Sequence, residues 1–296
     1  MRDLRIFVWV TALLSIIISF AGCDKPAPKL AYIQINKLTL NADEETQGTD
    51  SSALNTAWVY INDNPVGVFE LPAKVPVTTL GDVKFTIIPG VKANGISSTR
   101  VQYTPCDNFI TTLSLKEDST VTVNPIVKYA PTSEFPYKEN FEDPGLSVGP
   151  TSISGSGINI AKTSNPSEVF EGTGSGKIKM VSGQNFFEMA TNSAIELPSN
   201  GTPVFLEMNF KSNSDIRIGI YAEGTSGEVQ EQISGLNPTK NETTGAFEWR
   251  KVYILLTPTL QKYAGGTYKI YFGVLRNDAS PEQIEVYFDN FKIVHP

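Results

Sequence analysis

Residues 215–222 read DIRIGIYA, and this strict alternation decides the fold class. The three isoleucines occupy every second position, which in a β-strand places them together on one face, towards a core. The residues between them, Arg217, Gly219 and Tyr221, then share the opposite face. A helix would scatter both sets around its axis, so the segment is predicted to be a strand with one buried face.

The same signals recur along the chain. Short runs of β-branched and aromatic residues are separated by Gly, Pro, Asn and Asp, and helical periodicity is nearly absent. In the second half, the clearest further strands are predicted at 204–211, 249–256, 267–275 and 284–294. The pattern predicts an all-β protein.

Strand density divides the chain into two predicted units. Residues 30–129 carry about seven short strands, which favours an Ig-like β-sandwich. Residues 140–296 carry more strands, roughly eight to ten, for which a jelly-roll β-sandwich is the leading choice. The Pro-containing stretch between them, residues 130–139, is predicted to be an exposed linker.

The N-terminus has the features of an exported lipoprotein. Arg2 and Arg5 precede an apolar run over residues 6–20, which is short for a membrane span but typical of a signal peptide. Residues 20–23, Phe-Ala-Gly-Cys, resemble a lipobox, in which Cys23 would be acylated and become the new N-terminus. We therefore expect residues 1–22 to be a signal peptide and Cys23 to anchor the protein in the outer membrane.

The segment behind that cysteine is predicted to be a tether. Residues 23–29 contain two prolines and alternating charges, which favour an extended chain. The formal net charge is −7 and no basic run occurs, which argues against a nucleic-acid partner. Which side of the outer membrane the protein faces is left open by the sequence.

The first unit resembles a known group of proteins. Residues 58–62 (WVYIN), 67–72 (GVFELP) and 88–100 (IPGVKANGISSTR) resemble a family of uncharacterised lipoproteins of the Bacteroidota. The segment also loosely resembles small PEGA-like sandwich domains. The lipoprotein family carries no assigned activity, so the resemblance implies location and architecture only.

The second unit resembles the jelly-roll carbohydrate-binding modules. The resemblance rests on residues 141–143 (FED), 171–177 (EGTGSGK) and 287–293 (YFDNFKI). Members of that family often hold a structural calcium where these segments meet, and calcium prefers carboxylate and carbonyl oxygens. The resemblance implies calcium ligands at Glu142, Glu171 and Asp289, although two of these carboxylates could instead accept backbone hydrogen bonds at a sheet edge.

Two strand faces are candidates for glycan binding. Arg217 with Tyr221, and Lys269 with Tyr271, each place a cation and an aromatic ring on one face of a predicted strand, with a glycine between or beside them. Such glycines would leave clearance for a sugar ring beside the tyrosine. The alternative is that both tyrosines pack beneath a loop or against the first unit.

Catalysis is not expected. The chain has a single histidine, His295, and contains no nucleophile elbow or zinc-binding helix motif. A modification site is predicted instead at Ser119, because Asp-Ser-Thr at 118–120 resembles the O-glycosylation acceptor of the Bacteroidota.

Two functions from different classes remain. The protein is interpreted first as a non-catalytic structural or accessory subunit of an outer-membrane protein assembly. The alternative is a cell-surface lipoprotein that binds a glycan. An interface between the two units that covered Tyr221 and Tyr271 would favour the first, and an open groove at these tyrosines would favour the second.

Overall fold

The computed structural model describes residues 29–224 and 227–296, and its regular structure is almost entirely β. The helices in these ranges are two short ones, α1 (Glu44–Gln47) and α2 (Thr257–Lys262). No helix among the described residues has the length and apolarity needed to cross a membrane. The prediction of an all-β protein is confirmed, whereas the signal peptide, Cys23 and residues 24–28 of the tether lie outside the described residues.

The N-terminal unit is a β-sandwich, as predicted. The strands are β1 (Ala31–Ile35), β2 (Thr39–Leu40), β3 (Thr56–Ile61), β4 (Asn64–Glu70), β5 (Ala73–Val77), β6 (Gly81–Lys92), β7 (Arg100–Gln102), β8 (Phe109–Leu115), β9 (Thr120–Val123) and β10 (Ile126–Val127). A sheet in the order β4-β3-β6-β7, with β8 also on β6, faces a smaller sheet in the order β5-β1-β9, beside a β10-β2 pair. Ile33, Val59 and Phe85 are fully buried between them.

The C-terminal unit is a larger sandwich of two six-stranded sheets. Its strands are β11 (Glu134–Glu139), β12 (Val148–Pro150), β13 (Ile160–Thr163), β14 (Ser175–Met180), β15 (Phe186–Thr191), β16 (Ile195–Glu196), β17 (Phe205–Ser212), β18 (Ile216–Gly224), β19 (Gly227–Leu236), β20 (Arg250–Leu255), β21 (Thr267–Leu275) and β22 (Ile284–His295). One sheet, here called the covered sheet because the N-terminal unit packs on it, has the order β13-β14-β22-β17-β20, with β11 on β22. The other, here called the open sheet, has the order β12-β15-β21-β18-β19, with β16 on β21.

Alternation explains how these two sheets pack. The isoleucines of β18 are fully buried in the core between the sheets, together with Phe272 of β21 and Phe288 of β22. Burying one such side chain contributes about 1.5–3 kcal/mol. The intervening residues consequently line the outer faces of the sandwich.

The segment predicted as a linker is mostly a strand. Glu134–Glu139 forms β11 and pairs antiparallel with β22, from Glu134 opposite His295 to Glu139 opposite Phe291. Pro136 falls where the register shifts, and a proline is tolerated at such an irregularity because no ladder hydrogen bond is lost there. The linker prediction is therefore wrong for residues 134–139.

The two units share a buried interface. Phe205 and Tyr253, from the covered sheet, belong to the core of the N-terminal unit. Asn94 of the N-terminal unit also binds the covered sheet. Its backbone N–H donates to Tyr253 O at 2.7 Å, and its side-chain Oδ1 accepts from Leu255 N at 2.9 Å. The N-terminal unit thus packs chiefly on the outer face of the covered sheet.

Candidate functional site

The predicted glycan residues lie together on the outer face of the open sheet. In the register of β18 and β21, Tyr221 is opposite Lys269 and Gly219 is opposite Tyr271. Arg217 is opposite Gly273. The structure therefore brings all four predicted residues onto one surface, which is not the surface used for contact between the units.

The two tyrosines form one aromatic pair with different exposures. Their ring centroids are 5.4 Å apart in a tilted arrangement. Tyr221 is half-buried, whereas Tyr271 is only 4% exposed. Burial raises the pKa of Tyr271 to about 12, and nearby Glu188 adds to the rise. Tyr221 is consequently the ring that a ligand could reach, with Tyr271 as its support.

Gly219 has a different role from the one predicted. A Cβ at this position would lie 2.1 Å from Glu231 O and 2.5 Å from Tyr271 Cε1. The space above the glycine is thus filled by Tyr271 itself. The interpretation that Gly219 leaves room for a sugar ring is corrected.

A buried carboxylate fixes the orientation of Tyr221. Glu188, on β15, accepts a hydrogen bond from the Tyr221 hydroxyl. It also accepts from Thr151 Oγ1 at 2.9 Å and from Gln230 Nε2 at 2.7 Å. Burial, followed by this hydrogen bond, raises the pKa of Tyr221, so the phenol stays protonated and donates to Glu188.

Sequence reasoning missed Glu188 and Gln230. Glu188 stands between Phe187 and Met189, which both point into the core. The sequence could therefore have indicated that Glu188 is a carboxylate on the outward face of an apolar strand. It could not indicate that Glu188 lies next to β18 and β19, because those strands lie more than 25 residues away in the sequence.

A cleft of about 320 Å³ opens beside Tyr221. Its lining includes Thr151, Asn192, Glu228 and Lys269, together with Tyr221. One aromatic ring with amide, hydroxyl, ammonium and carboxylate groups around it gives both donors and acceptors at one surface. Such a set suits a ligand that carries many hydroxyl groups.

The covered sheet carries a second buried glutamate, with a different environment. Glu207 Oε1 accepts hydrogen bonds from the hydroxyls of Tyr103 and Tyr129 of the N-terminal unit. Its Oε2 lies 3.0 Å from Lys251 Nζ and 4.0 Å from Lys292 Nζ. These five residues are called the Glu207 cluster. Burial alone would raise the pKa of Glu207, but the two ammonium groups lower it to about 2.

The Glu207 cluster also fastens the N-terminal unit directly. Lys292 Nζ donates to the backbone carbonyls of Gln47 at 2.9 Å and Thr49 at 3.2 Å. Burial lowers the pKa of Lys292 to about 8, although Glu207 acts against this change. The interface is therefore held by charged groups that are shut away from water as well as by apolar packing.

The three carboxylates predicted to bind calcium are each held by protein donors. Glu142 accepts from Thr173 N at 2.9 Å and Gly174 N at 3.1 Å. Asp289 Oδ2 accepts from Ser175 Oγ at 2.6 Å. Glu171 Oε2 accepts from Thr49 Oγ1 and Asn290 Nδ2, at 2.6 and 2.9 Å.

This arrangement does not fit a shared calcium ion. Within residues 29–224 and 227–296, no group of three or more His, Cys, Asp or Glu residues is placed to hold a metal. Burial instead raises the pKa of Asp289 to about 7, against the opposing effect of the hydrogen bond from Ser175. The carboxylates act as hydrogen-bond acceptors, which is the alternative that the sequence left open.

Ser119 lies in the turn before β9. Its Oγ donates to Lys116 O at 2.6 Å and the side chain is half-buried. The preceding residue, Asp118, has a φ of 56°. O-glycosylation at Ser119 stays a prediction.

Comparisons with known proteins give no family. No family model matches the chain, and no curated protein matches it. A solved structure described as carbohydrate-binding modules of promiscuous specificity from the β-sandwich superfamily is 14% identical, over 80% of this chain and 84% of that one, with a TM-score of 0.37.

Two further solved structures are similar at the same level. The family 11 carbohydrate-binding module of a Clostridium thermocellum cellulosomal cellulase is 13% identical over 56% of this chain and 96% of its own, with a TM-score of 0.37. The K3 adhesin domain of Lys-gingipain from Porphyromonas gingivalis is 15% identical over 55% and 98%, with a TM-score of 0.35. Likenesses this distant carry no argument about the ligand of this chain.

Proposed function

We propose that this chain is a non-catalytic, glycan-binding lipoprotein of the cell envelope, anchored to the outer membrane through acylated Cys23. The sugar binds in the cleft beside Tyr221 on the outer face of the open sheet. The N-terminal unit serves as a rigid mount between the membrane anchor and that face.

The observation that carries this proposal is the position of the interface between the units. The N-terminal unit packs on the covered sheet, through Phe205, Tyr253 and the Glu207 cluster. The cleft beside Tyr221 is lined only by residues of the C-terminal unit and stays open. A groove that remains free when the two units are docked is available to a ligand.

The chemistry of the cleft supports a carbohydrate. Sugar rings combine an apolar face, which packs on an aromatic ring, with hydroxyl groups that both donate and accept hydrogen bonds. Tyr221 offers the ring, and its hydrogen bond to Glu188 holds that ring in one orientation before the ligand arrives. Preorganisation of this kind lowers the entropic cost of binding.

The test is a substitution of Tyr221 in the full-length protein, in mild detergent, on a glycan array and in affinity electrophoresis. Tyr221→Ala removes the ring, and we expect binding to weaken by about tenfold or more, equivalent to about 1.4 kcal/mol. Tyr221→Phe is the matched control, because it keeps the ring and loses only the hydrogen bond to Glu188. Equal glycan binding by the wild type and Tyr221→Ala would contradict the proposal.

A second candidate, a structural or accessory subunit, is supported by a different surface. The outer face of the larger N-terminal sheet exposes Val68 at 49% and Ile110 at 57%, beside half-buried Trp58. Exposed apolar groups on one sheet face suit a protein partner. Purification of wild type and Val68→Lys/Ile110→Lys from detergent-solubilised outer membranes tests it: a partner bound by the wild type should be lost from the variant.

A further inference from the structure

An aromatic cluster on the opposite side of the C-terminal unit is not used by the proposed site. Trp249 lies 5.4 Å from Phe170 and 6.4 Å from Tyr287, measured between ring centroids. Lys211 Nζ lies over both the Trp249 and the Tyr287 rings, at 5.3 and 4.6 Å. We call Phe170, Trp249 and Tyr287 the Trp249 platform.

The Trp249 platform belongs to the outer face of the covered sheet, beyond the area that the N-terminal unit occupies. Tyr287 on β22 is opposite both Lys211 on β17 and Lys177 on β14. A cavity of about 220 Å³ lies next to it. The cavity is lined by six residues, all from the C-terminal unit: Lys211, Ser212, Asn213, Phe247, Glu285 and Tyr287.

The side chains of this cavity differ in how far other parts of the protein already bind them. Asn213 is occupied, since its Nδ2 donates to Gln283 O and its Oδ1 accepts from Glu285 N. Phe247 lines the cavity and is 41% exposed, so its ring is accessible from solvent. Lys211 supplies an ammonium group that already donates to Ser167 O at 3.0 Å. Glu285 supplies a carboxylate whose Oε1 lies 3.6 Å from Lys177 Nζ. Both keep further hydrogen-bonding capacity, and the cavity lining itself has no net charge.

We infer that this cavity is a second carbohydrate site, which takes one neutral sugar ring against Phe247 with its hydroxyls between Lys211 and Glu285. A charged sugar is disfavoured because the cation and the anion of the lining cancel. The ligand class is that of the proposed function, but the site is separate from it.

The location of the second site relative to the Tyr221 cleft determines how the protein can bind glycan chains. The cavity and the Tyr221 cleft lie on the outer faces of the two sheets that form one sandwich, so they point in opposite directions. One straight glycan segment cannot reach both. A single molecule with two opposed sites therefore bridges two glycan chains, or two parts of a folded one.

The test uses four full-length proteins: the wild type, Phe247→Ala, Tyr221→Ala and the double variant. Light scattering of soluble neutral polysaccharides (a mixed-linkage glucan, a xylan, a mannan and a galactan) measures bridging. We expect the wild type to raise the scattering at least about tenfold above polysaccharide alone. Each single variant should bind without bridging, and the double variant should do neither. Phe247→Tyr, which keeps a ring, is the matched control and should still bridge.

Tryptophan fluorescence gives a readout specific to the second site. In the processed lipoprotein that starts at Cys23, replacing Trp58 by Phe leaves Trp249 as the single tryptophan. In that background, polysaccharide should change the Trp249 emission in Tyr221→Ala but not in Phe247→Ala. Phe247→Ala should keep the wild-type melting temperature, because the Phe247 ring is exposed, and this separates lost binding from lost folding at the second site.

The outcomes separate this inference from the proposed function. Bridging and a Trp249 response that persist in Phe247→Ala overturn the second site. Binding that vanishes wholly in Tyr221→Ala overturns it too, but leaves the proposed function standing. If Tyr221→Ala leaves binding intact and Phe247→Ala abolishes it, the result contradicts only the proposed site in the Tyr221 cleft. A wild type that binds none of the four polysaccharides contradicts both.

Discussion

The two outer faces of the C-terminal sandwich each carry a buried glutamate, and the difference between them separates a structural surface from a binding surface. Glu207 on the covered sheet accepts from two tyrosine hydroxyls and faces two lysine ammonium groups. Glu188 on the open sheet accepts from one tyrosine, one threonine and one glutamine. Among the described residues it forms no ion pair.

The two buried glutamates therefore have different roles, one in fixing the interface and the other in positioning an exposed ring. A carboxylate with cations from its own sheet and hydroxyls from another unit has its charge balanced and fixes one geometry between the units. A carboxylate held only by neutral donors positions those donors, one of which is the exposed Tyr221 ring. The following experiments break or sharpen this comparison, in order of decreasing expected effect.

Glu207→Gln should have the largest effect. It leaves Lys251 and Lys292 buried without a negative partner, and breaking a buried ion pair in this way costs about 3–5 kcal/mol. Urea denaturation measures the loss of unfolding free energy. Glu188→Gln is the matched variant on the other face, and because it strands no charge it should cost only about 1–2 kcal/mol. Equal losses at the two positions would refute the contrast.

The pH dependence of stability should show two opposite slopes. Glu207 has its pKa lowered from 4.5 to about 2, so its contribution is present above pH 4.5 and is lost as pH falls towards 2. Asp289 has its pKa raised from 3.8 to about 7, so the folded state binds its proton more tightly. Stability should therefore rise as pH falls from about 7 to about 4, and decline below that.

Asp289→Asn isolates one of these slopes. It cannot titrate, so the rise between pH 7 and pH 4, about 1.4 kcal/mol per pH unit for one proton, should disappear. Glu207→Gln should remove the acid decline instead. The measurement is the unfolding free energy of the wild type and of each variant at five or six pH values. A profile for Asp289→Asn that matches the wild type would count against the raised pKa of Asp289.

Gly219→Ala tests the support beneath Tyr221. The added Cβ would meet Glu231 O, a backbone atom, and the Tyr271 ring, so we expect a loss of about 1–3 kcal/mol and weaker glycan binding. Gly273→Ala is the control on the neighbouring strand, where the added Cβ would lie 3.8 Å from Arg217 Cβ and from Phe186 Cε2, which is ordinary van der Waals contact. A Gly219→Ala protein as stable as Gly273→Ala would mean that Tyr271 is free to move.

Calcium should have the smallest effect. Because Glu142, Glu171 and Asp289 are occupied by separate donors, we expect thermal melts with millimolar calcium and with chelator to agree within about 0.5 kcal/mol. A shared ion at 100 times its dissociation constant would instead add about 2.7 kcal/mol. A calcium-dependent rise of several degrees, lost in Asp289→Ala, would restore the predicted site.

Much of the fold was open to prediction because it rests on local alternation. The strand predicted at 267–275 coincides with β21, and that predicted at 284–294 differs from β22 by one residue. In β21 every second side chain enters the core, and in β22 the same alternation runs from Ile284 to Phe288 and resumes at Phe291. The strand β11 was missed because Pro136 reads as a linker signal, and only its distant partner β22 reveals the irregular register that tolerates it.

The candidate site was predictable in part. Alternation placed Arg217 and Tyr221 on one face, and Lys269 and Tyr271 on another, but it could not show that the two faces are the same surface. The hydrogen bond from Tyr221 to Glu188 joins strands whose order in the sheet is not sequential. Pairing between distant strands is a property of topology, which local patterns do not encode.

The place of β22 sets an order of events during synthesis. It follows every other described element in the chain, yet it lies inside its sheet, between β14 and β17, and almost all of its twelve residues are buried. The sandwich cannot close until this strand has left the ribosome. Until then the second half of the chain lacks its central strand and leaves apolar surface exposed. A stop codon only a few residues early would remove part of β22, which contributes to the cores of both units.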